Sequence, residues 1–139
     1  FSQGVEKKLG LDELLACLGE RGVPCAVASS SSKEGIDRNL RFIGAIDRFQ
    51  AIVPTSEVSR AKPAPDIFLE AARRLGTTPS RTMVLEDSFN GVRAGAAGGF
   101  FTVMVPDLAQ PNDEIRGIAS RVCASLLEVR DLLAKGEIG

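Results

Sequence analysis

The chain alternates short apolar runs with longer stretches in which apolar residues recur at helical spacing. The short runs show little alternation of polar and apolar positions, which is typical of strands buried on both faces of a parallel sheet. Most of them end at a proline or at a group of polar residues. We predict four main strands, at residues 23–28, 51–53, 82–85 and 101–105, and a minor strand at 121–123.

Helical periodicity fills the segments between these runs. Leu11, Leu14, Leu15 and Leu18, for example, lie on one face of a helix. We predict helices at residues 11–21, 33–43, 66–75, 88–97 and 126–135, and a loop with a turn of helix within 107–120. Strands that alternate with helices of about ten residues predict an α/β fold, with a three-layer Rossmann-like arrangement around a mostly parallel sheet. We expect residues 1–139 to form a single domain of this kind.

Composition narrows the functional classes. The formal net charge of −1 gives no electrostatic reason to expect nucleic acid or an anionic membrane as a partner. No apolar run approaches the roughly 20 residues that span a bilayer, and the N-terminal residues lack the apolar centre of a signal peptide. We therefore expect a cytoplasmic protein. Because the chain begins with Phe1 rather than Met, we also expect a fragment or a trimmed product.

Histidine is absent from the chain, and cysteine is sparse. Without histidine, these residues alone cannot build a Ser-His-Asp or Cys-His catalytic group or a His-ligated metal site. The three cysteines, Cys17, Cys25 and Cys123, are far apart and lie among apolar residues. We expect buried free thiols rather than a disulfide framework or a zinc site.

Polar and charged residues follow the predicted strands at three places. Ser29 and Ser30 follow the first strand, where a hydroxyl and the N–H groups at a helix N-terminus can bind an anion. Glu86 and Asp87 follow the third strand, and two adjacent carboxylates suit Mg²⁺. Lys62, in the loop after the second strand, adds a positive charge. Right-handed crossovers bring these groups to one rim of the sheet, so we predict a site in which Mg²⁺ and Lys62 grip a phosphate.

The three motifs, in this order, resemble the core of the haloacid dehalogenase superfamily over residues 11–106. The similarity is strongest to the branch that contains β-phosphoglucomutase and phosphoglycolate phosphatase. The resemblance implies that Ser29, in VASSSS, binds the transferring phosphoryl group, and that Lys62, in KPAPDIF, stabilises the phosphate and the nucleophile. It also implies that Glu86 and Asp87, in EDSFNG, hold Mg²⁺ as the cofactor.

The chain lacks the N-terminal motif of the family that it resembles. Family members begin with an Asp-x-Asp-Gly-Thr-like motif that supplies the nucleophile and the acid/base, whereas no two Asp residues of this chain are two positions apart. The resemblance therefore implies that the nucleophile, the substrate-selecting cap and the central strand come from an N-terminal segment, and that this chain alone is inactive. Without that strand, the strands at 23–28 and 82–85 face a gap, where each buried unpaired peptide group costs about 1–3 kcal/mol. We expect the isolated chain to be unstable or prone to aggregate.

The sequence is compatible with several functions. The resemblance implies a Mg²⁺-dependent phosphatase that acts on a small phosphorylated metabolite through an aspartyl-phosphate, or a sugar phosphomutase. A non-catalytic domain of the same fold is an alternative if the nucleophile is missing from the whole protein. A phospho-switch similar to a receiver domain also combines acids, Ser or Thr and Lys with Mg²⁺. In receivers, however, the acids precede the lysine, whereas here Lys62 precedes Glu86.

Overall fold

The computed structural model describes residues 9–107 and 110–137, which contain six α-helices and five strands. The helices are α1 (Leu11–Glu20), α2 (Lys33–Phe42), α3 (Asp66–Leu75), α4 (Phe89–Ala97), α5 (Asp113–Ile118) and α6 (Leu126–Ala134). The strands are β1 (Ala26–Ser29), β2 (Ala51–Pro54), β3 (Met83–Glu86), β4 (Phe101–Met104) and β5 (Arg121–Val122). None of the helices in these ranges is long and apolar enough to cross a membrane. The predicted α/β class is confirmed.

The boundaries differ from the prediction mainly at the ends of β1 and β3. The predicted strand at 23–28 starts too early, because Pro24 has no N–H to donate to a ladder. Pairing with β2 begins at Ala26 and continues through Ser29. In the same way, β3 extends to Glu86. Ser29 and Glu86 are thus the last residues of their strands, so the pairing itself positions their backbones.

The strands form two parallel half-sheets. In the first half-sheet β1 pairs with β2, with Ala28 beside Val53. In the second, β3 pairs with β4 and β4 with β5, with Leu85 beside Val103. No strand pairing joins the two half-sheets within residues 9–107 and 110–137. Each half-sheet therefore has an edge strand, β1 or β3, next to the other half.

The two half-sheets share the same two apolar layers. One layer packs Val27 of β1 and Val103 of β4 against α1, α2 and α6. The other layer packs Ala28 of β1 and Val84 of β3 against α3 and α4. Because successive residues of a strand point to opposite faces, this alternation places both half-sheets in the middle of one three-layer sandwich.

A cavity of about 410 Å³ lies between the half-sheets. Its walls include Ala26 and Ala28 of β1 and Met83, Val84 and Leu85 of β3, together with apolar side chains of α1, α3 and α6. We call this space the slot. The expectation that β1 and β3 face a gap is confirmed for the described part of the chain.

Candidate active site

Buried polar side chains concentrate at the carboxyl ends of β1 and β3. Ser29 is 2% exposed and Glu86 is 4% exposed, and with Thr102 they are the buried polar or charged residues of the described chain. A buried polar group costs free energy unless it is hydrogen-bonded, and no buried side-chain nitrogen or oxygen in the described residues lacks a partner. The two strand ends that the sequence singled out are therefore built around polar contacts.

Lys62 and Glu86 form a buried ion pair. The Lys62 Nζ lies 2.6 Å from Glu86 Oε2, and the two side chains are 13% and 1% exposed. The ammonium also lies 5.1 Å from the centre of the Phe68 ring, on the first turn of the helix α3 that follows the lysine loop. The structure thus brings the predicted lysine, from the loop between β2 and α3, to Glu86 at the end of β3 in the other half-sheet.

The Glu86 carboxylate is held on both oxygens. Its Oε1 accepts from the backbone N–H of Asp87 at 3.2 Å and from the N–H and hydroxyl of Ser88 at 3.4 and 3.2 Å. A carboxylate offers about four acceptor positions, and three donors meet at Oε1 while Lys62 takes one position at Oε2. The acceptor capacity that remains for a cation lies mainly at Oε2.

Gly91 makes room for this carboxylate. A Cβ at Gly91 would lie 2.1 Å from the Glu86 carboxyl carbon, far inside contact distance. The Gly91 N–H donates to the Ser88 hydroxyl at 3.0 Å, which caps α4. The structure shows that the group Gly91 approaches is the acid itself.

Ser29 belongs to the first half-sheet. Its hydroxyl accepts from the Ser31 N–H at 3.1 Å, and its carbonyl accepts from the Thr55 hydroxyl at 3.3 Å. Ser30 is exposed in the turn that leads to α2. Sequence reasoning missed Thr55, although the rule that selected Ser29, a hydroxyl residue at the end of an apolar run, also applies directly after Pro54.

The donor set at the end of β3 suits Mg²⁺ in part. Asp87, half-buried, follows Glu86 and adds a second carboxylate. Within residues 9–107 and 110–137, no group of three or more His, Cys, Asp or Glu side chains is placed to hold a metal ion. Mg²⁺ usually takes one or two carboxylates and completes its shell with water and substrate phosphate. Glu86 and Asp87 therefore fit such a site without filling it.

Other charged and nucleophilic side chains lie outside this site. Arg93 on α4 donates to Glu114 at 2.7 and 2.8 Å and to Asn90 at 2.9 Å, away from the ends of β1 and β3. All three cysteines are free, but the expectation that each is buried is right for Cys123 alone, since Cys17 and Cys25 are half-buried. Burial raises the pKa of the Cys25 and Cys123 thiols, which makes them poor nucleophiles.

Comparisons with known proteins point to one family. Residues 4–99 match the family model described as haloacid dehalogenase-like hydrolase. The bifunctional riboflavin kinase/FMN phosphatase of Arabidopsis thaliana is 42% identical over 122 residues, which cover 87% of this chain and 32% of that protein. Hexitol phosphatase B of Escherichia coli (strain K12) is 31% identical over 126 residues, which cover 89% of this chain and 57% of that protein.

Solved structures agree in fold. The crystal structure of CbbY from Rhodobacter sphaeroides in complex with phosphate matches with a TM-score of 0.80 and 32% identity, over 88% of this chain and 55% of that one. A β-phosphoglucomutase from Clostridium difficile matches with a TM-score of 0.77 and 26% identity, over 94% of this chain and 55% of that one. The chain thus spans from about a third to just over half of the length of these relatives.

Proposed function

Since this chain belongs to the haloacid dehalogenase-like hydrolases, we propose that the whole protein is a Mg²⁺-dependent phosphatase of a small phosphorylated metabolite. The observation that carries the proposal is the buried pair of Lys62 and Glu86, 2.6 Å apart, directly beside Asp87. A cation and two acids at the carboxyl end of a parallel strand provide both signs of charge that a metal-bound phosphate requires. Two relatives named as phosphatases, and one crystallised with phosphate, support the same class.

Ser29, Ser30 and Lys62 bind the phosphoryl group in this proposal. An ammonium has three N–H donors, of which one goes to Glu86. The remaining donors of Lys62 face phosphoryl oxygens and neutralise their charge as the group transfers. The Ser29 hydroxyl and the N–H and hydroxyl of Ser30, at the turn into α2, donate to the other oxygens.

Asp87 and Glu86 would hold Mg²⁺, which supplies positive charge to the phosphoryl oxygens when bound. On Glu86 the acceptor capacity for the ion lies at Oε2, because Oε1 accepts from Asp87 and Ser88. Glu86 then has two tasks: it fixes the position of the lysine and it adds negative charge beside the metal site.

The nucleophile comes, in this proposal, from an aspartate in a segment N-terminal to α1. Its carboxylate attacks phosphorus, the ester oxygen leaves and takes a proton from a second acid, and water then hydrolyses the aspartyl-phosphate. The residues described here bind and orient the phosphoryl group but supply neither acid. The chain by itself is therefore expected to bind phosphate weakly and to be inactive.

The test is the Asp87→Asn variant of the full-length protein, with p-nitrophenyl phosphate as the substrate. Activity should fall by roughly 10²-fold or more, which is typical when one charged contact to the transition state is lost, and the Mg²⁺ concentration for half-maximal activity should rise. Asp113→Asn is the matched control, because Asp113 is exposed at the start of α5. Full activity in Asp87→Asn would reject the assignment, and an inactive wild-type protein would favour the non-catalytic alternative.

A sugar phosphomutase is the second candidate, supported by the structural match to a β-phosphoglucomutase. The two activities differ in the acceptor, since a phosphatase transfers the phosphoryl group to water and a mutase transfers it to a sugar hydroxyl. Incubation with a sugar monophosphate distinguishes them: inorganic phosphate accumulates in the first case and an isomeric sugar phosphate in the second.

A further inference from the structure

We propose that Phe68 is a positioning residue for Lys62: the face of its ring, rather than its bulk, holds the ammonium beside Glu86 and keeps it directed at the phosphoryl group. The Lys62 Nζ lies over this ring, 5.1 Å from its centre. The task of Phe68 at the phosphate site rests on the proposed function. The contact itself stands on the geometry and burial of the two side chains.

A lysine side chain is not held in place by one contact. Its charge lies at the end of a flexible four-carbon stem. The hydrogen bond from Lys62 Nζ to Glu86 Oε2, at 2.6 Å, fixes one distance but lets the ammonium swing around that oxygen. A second attraction from another direction removes most of this freedom, and Phe68 is placed to supply it.

An aromatic ring at this distance attracts the ammonium without using one of its hydrogen-bond donors. The negative face of a ring attracts a cation within about 6 Å of its centre. The distance from Lys62 Nζ to the ring centre, 5.1 Å, is inside that range, but it is far longer than a hydrogen bond of roughly 2.7–3.2 Å. The N–H donors of Lys62 therefore stay available for Glu86 and for phosphoryl oxygens.

Burial strengthens the attraction between the ring and the ammonium. Phe68 is 7% exposed, and the side chain of Lys62 is 13% exposed, so both groups are largely removed from water. A cation–π contact contributes a factor of about 2 to 5 to an equilibrium constant at an exposed site and about 30 when the cation is desolvated. The contact between Lys62 and Phe68 therefore lies toward the upper figure.

The ring of Phe68 is itself held by its neighbours. It packs against Phe100 with the ring centres 6.1 Å apart and the ring planes at 71°, an edge-to-face arrangement. Gly98 leaves room for Phe100, because a Cβ there would lie 2.7 Å from Phe100 Cε2. A ring packed in this way cannot turn its face away from the ammonium without disturbing these neighbours.

The ring and the carboxylate reach the ammonium from different elements. Phe68 lies on the first turn of α3, the helix that follows the loop of Lys62, and its N–H donates to the Pro65 carbonyl at 3.1 Å. Glu86 ends β3, in the other half-sheet. The ammonium is thus held between an aromatic face on a helix and a carboxylate on a strand, and each of these limits the motion that the other allows.

A packing role alone is the alternative for Phe68. The residue belongs to the apolar layer of α3 and α4, whose other members include Ala28, Val53 and Val84. An aliphatic side chain of similar volume would fill its place in that layer. Only the negative face of the ring distinguishes the two roles, so a decisive substitution alters the face and keeps the volume.

Fluorinated phenylalanines make this change. Fluorine on the ring edge withdraws electron density from the face and nearly preserves the shape of the ring. We place phenylalanines with one, two and three ring fluorines at Phe68 of the full-length protein. The equilibrium constant for unfolding in urea should rise step by step, by about 10-fold with the third fluorine in place. The same series in the double variant Lys62→Met with Glu86→Gln should show no rise, since the cation is gone.

Phe100 is the matched control position. Its exposure, 6%, is close to the 7% of Phe68, and the two rings share one contact. Fluorines on Phe100 perturb this packing but leave the face that the ammonium meets unchanged. An equal rise in the Phe100 series or in the double variant would overturn the inference, because packing would then explain the trend. So would an unfolding constant that stays level or falls in the Phe68 series. If the double variant does not fold, the comparison with Phe100 decides.

Phosphatase kinetics test the task at the phosphate site. With p-nitrophenyl phosphate, fluorination of Phe68 should lower kcat more than it raises KM, by about 10-fold at three fluorines, because a displaced Lys62 stabilises the transition state less. An unchanged kcat beside a clear stability trend would refute positioning and leave the phosphatase proposal intact, and so would an equally steep fall of kcat in the Phe100 series. If the wild-type protein is inactive, the phosphatase proposal fails, and the stability series alone decides whether the ring face holds Lys62.

Discussion

The two half-sheets lie in the same sandwich but hold their polar ends differently. The first half-sheet ends in hydroxyl groups, and Ser29 and Thr55 make hydrogen bonds with backbone groups. The second ends in Glu86, which is bound by a full positive charge from Lys62. Lys62 follows β2, so this ion pair crosses from one half-sheet to the other above the slot. The polar chemistry of the rim therefore joins two halves that no strand pairing joins in the described residues.

The largest effect is expected when this crossing pair is broken. Lys62→Met leaves the Glu86 carboxylate buried without its cation, and removal of one partner from a buried pair typically costs about 3–5 kcal/mol. Urea unfolding of the full-length protein measures the loss. The double variant with Glu86→Gln should recover part of it, because the uncompensated charge is then gone.

Arg60→Met is the matched control for that experiment. Arg60 pairs with Asp66 at 2.9 Å, but its side chain is 70% exposed, and exposed pairs contribute about 0–1 kcal/mol. If Lys62→Met destabilises the protein no more than Arg60→Met does, the rim pair does not hold the half-sheets together. The polar ends of β1 and β3 would then be independent of each other.

The apolar pattern of the sequence predicts the strands of both half-sheets well. It does not predict the gap between β1 and β3. Buried parallel strands are continuous apolar runs, so β2 and β3 are visible as such in the sequence. The same rule predicted the start of β1 three residues too early, because Val23 and Cys25 are apolar although Pro24 prevents pairing. Whether a strand lies between β1 and β3 is a matter of topology, and the expectation of a gap came from the family resemblance rather than from apolar periodicity.

The candidate site shows a similar division. Lys62, Glu86 and Asp87 could be selected from residue type and position, because ligands bind beyond the carboxyl ends of parallel strands. That Glu86 pairs with Lys62 at 2.6 Å could not be predicted, since spacing along the chain does not specify which oxygen an ammonium meets. The role of Gly91 was also hidden, because a small residue on a helix says nothing about which group approaches it.

Gly91→Ala should have the next largest effect, and it acts on the second half-sheet alone. The new methyl group would lie 2.1 Å from the Glu86 carboxyl carbon, so the carboxylate must move away from Lys62 or α4 must shift. Overpacking of this kind typically costs about 1–3 kcal/mol. We expect lower thermal stability together with a higher Mg²⁺ concentration for half-maximal activity, measured on the full-length protein.

Gly117→Ala is the control for that substitution. Gly117 lies in α5 with no atom within 4 Å of the position of a Cβ, and alanine is favoured over glycine in helices by up to about 1 kcal/mol. The control should therefore be neutral or stabilising. An equal gain in stability from Gly91→Ala would mean that the Glu86 carboxylate is free to relocate, and the second half-sheet would then be less rigid at its rim than the first.

The smallest effect concerns Glu70 on α3, the helix that packs on the first half-sheet. Arg73 and Arg74 donate to its carboxylate, and these hydrogen bonds lower the pKa of Glu70 to about 2. The usual value is 4.5, so the stabilisation is complete above about that pH, and it is lost as pH falls from there to about 2. Arg74 also donates to the Ile52 carbonyl of β2 at 2.9 Å, which connects the cluster to the strand.

Glu70→Gln should therefore lower the free energy of unfolding slightly at neutral pH, and this effect should be small at pH 2 and vanish below it. Because Glu70 and both arginines lie at the surface, solvent and salt screen the interaction, and the difference between variant and wild type should shrink as ionic strength rises. Lys62→Met, in contrast, should be nearly insensitive to salt, since its partner is 1% exposed. If the loss of stability in Lys62→Met depends on salt as steeply as the loss in Glu70→Gln, solvent reaches the pair of Lys62 and Glu86. The two half-sheets would then be joined at the rim only as weakly as surface charges join α3 to β2.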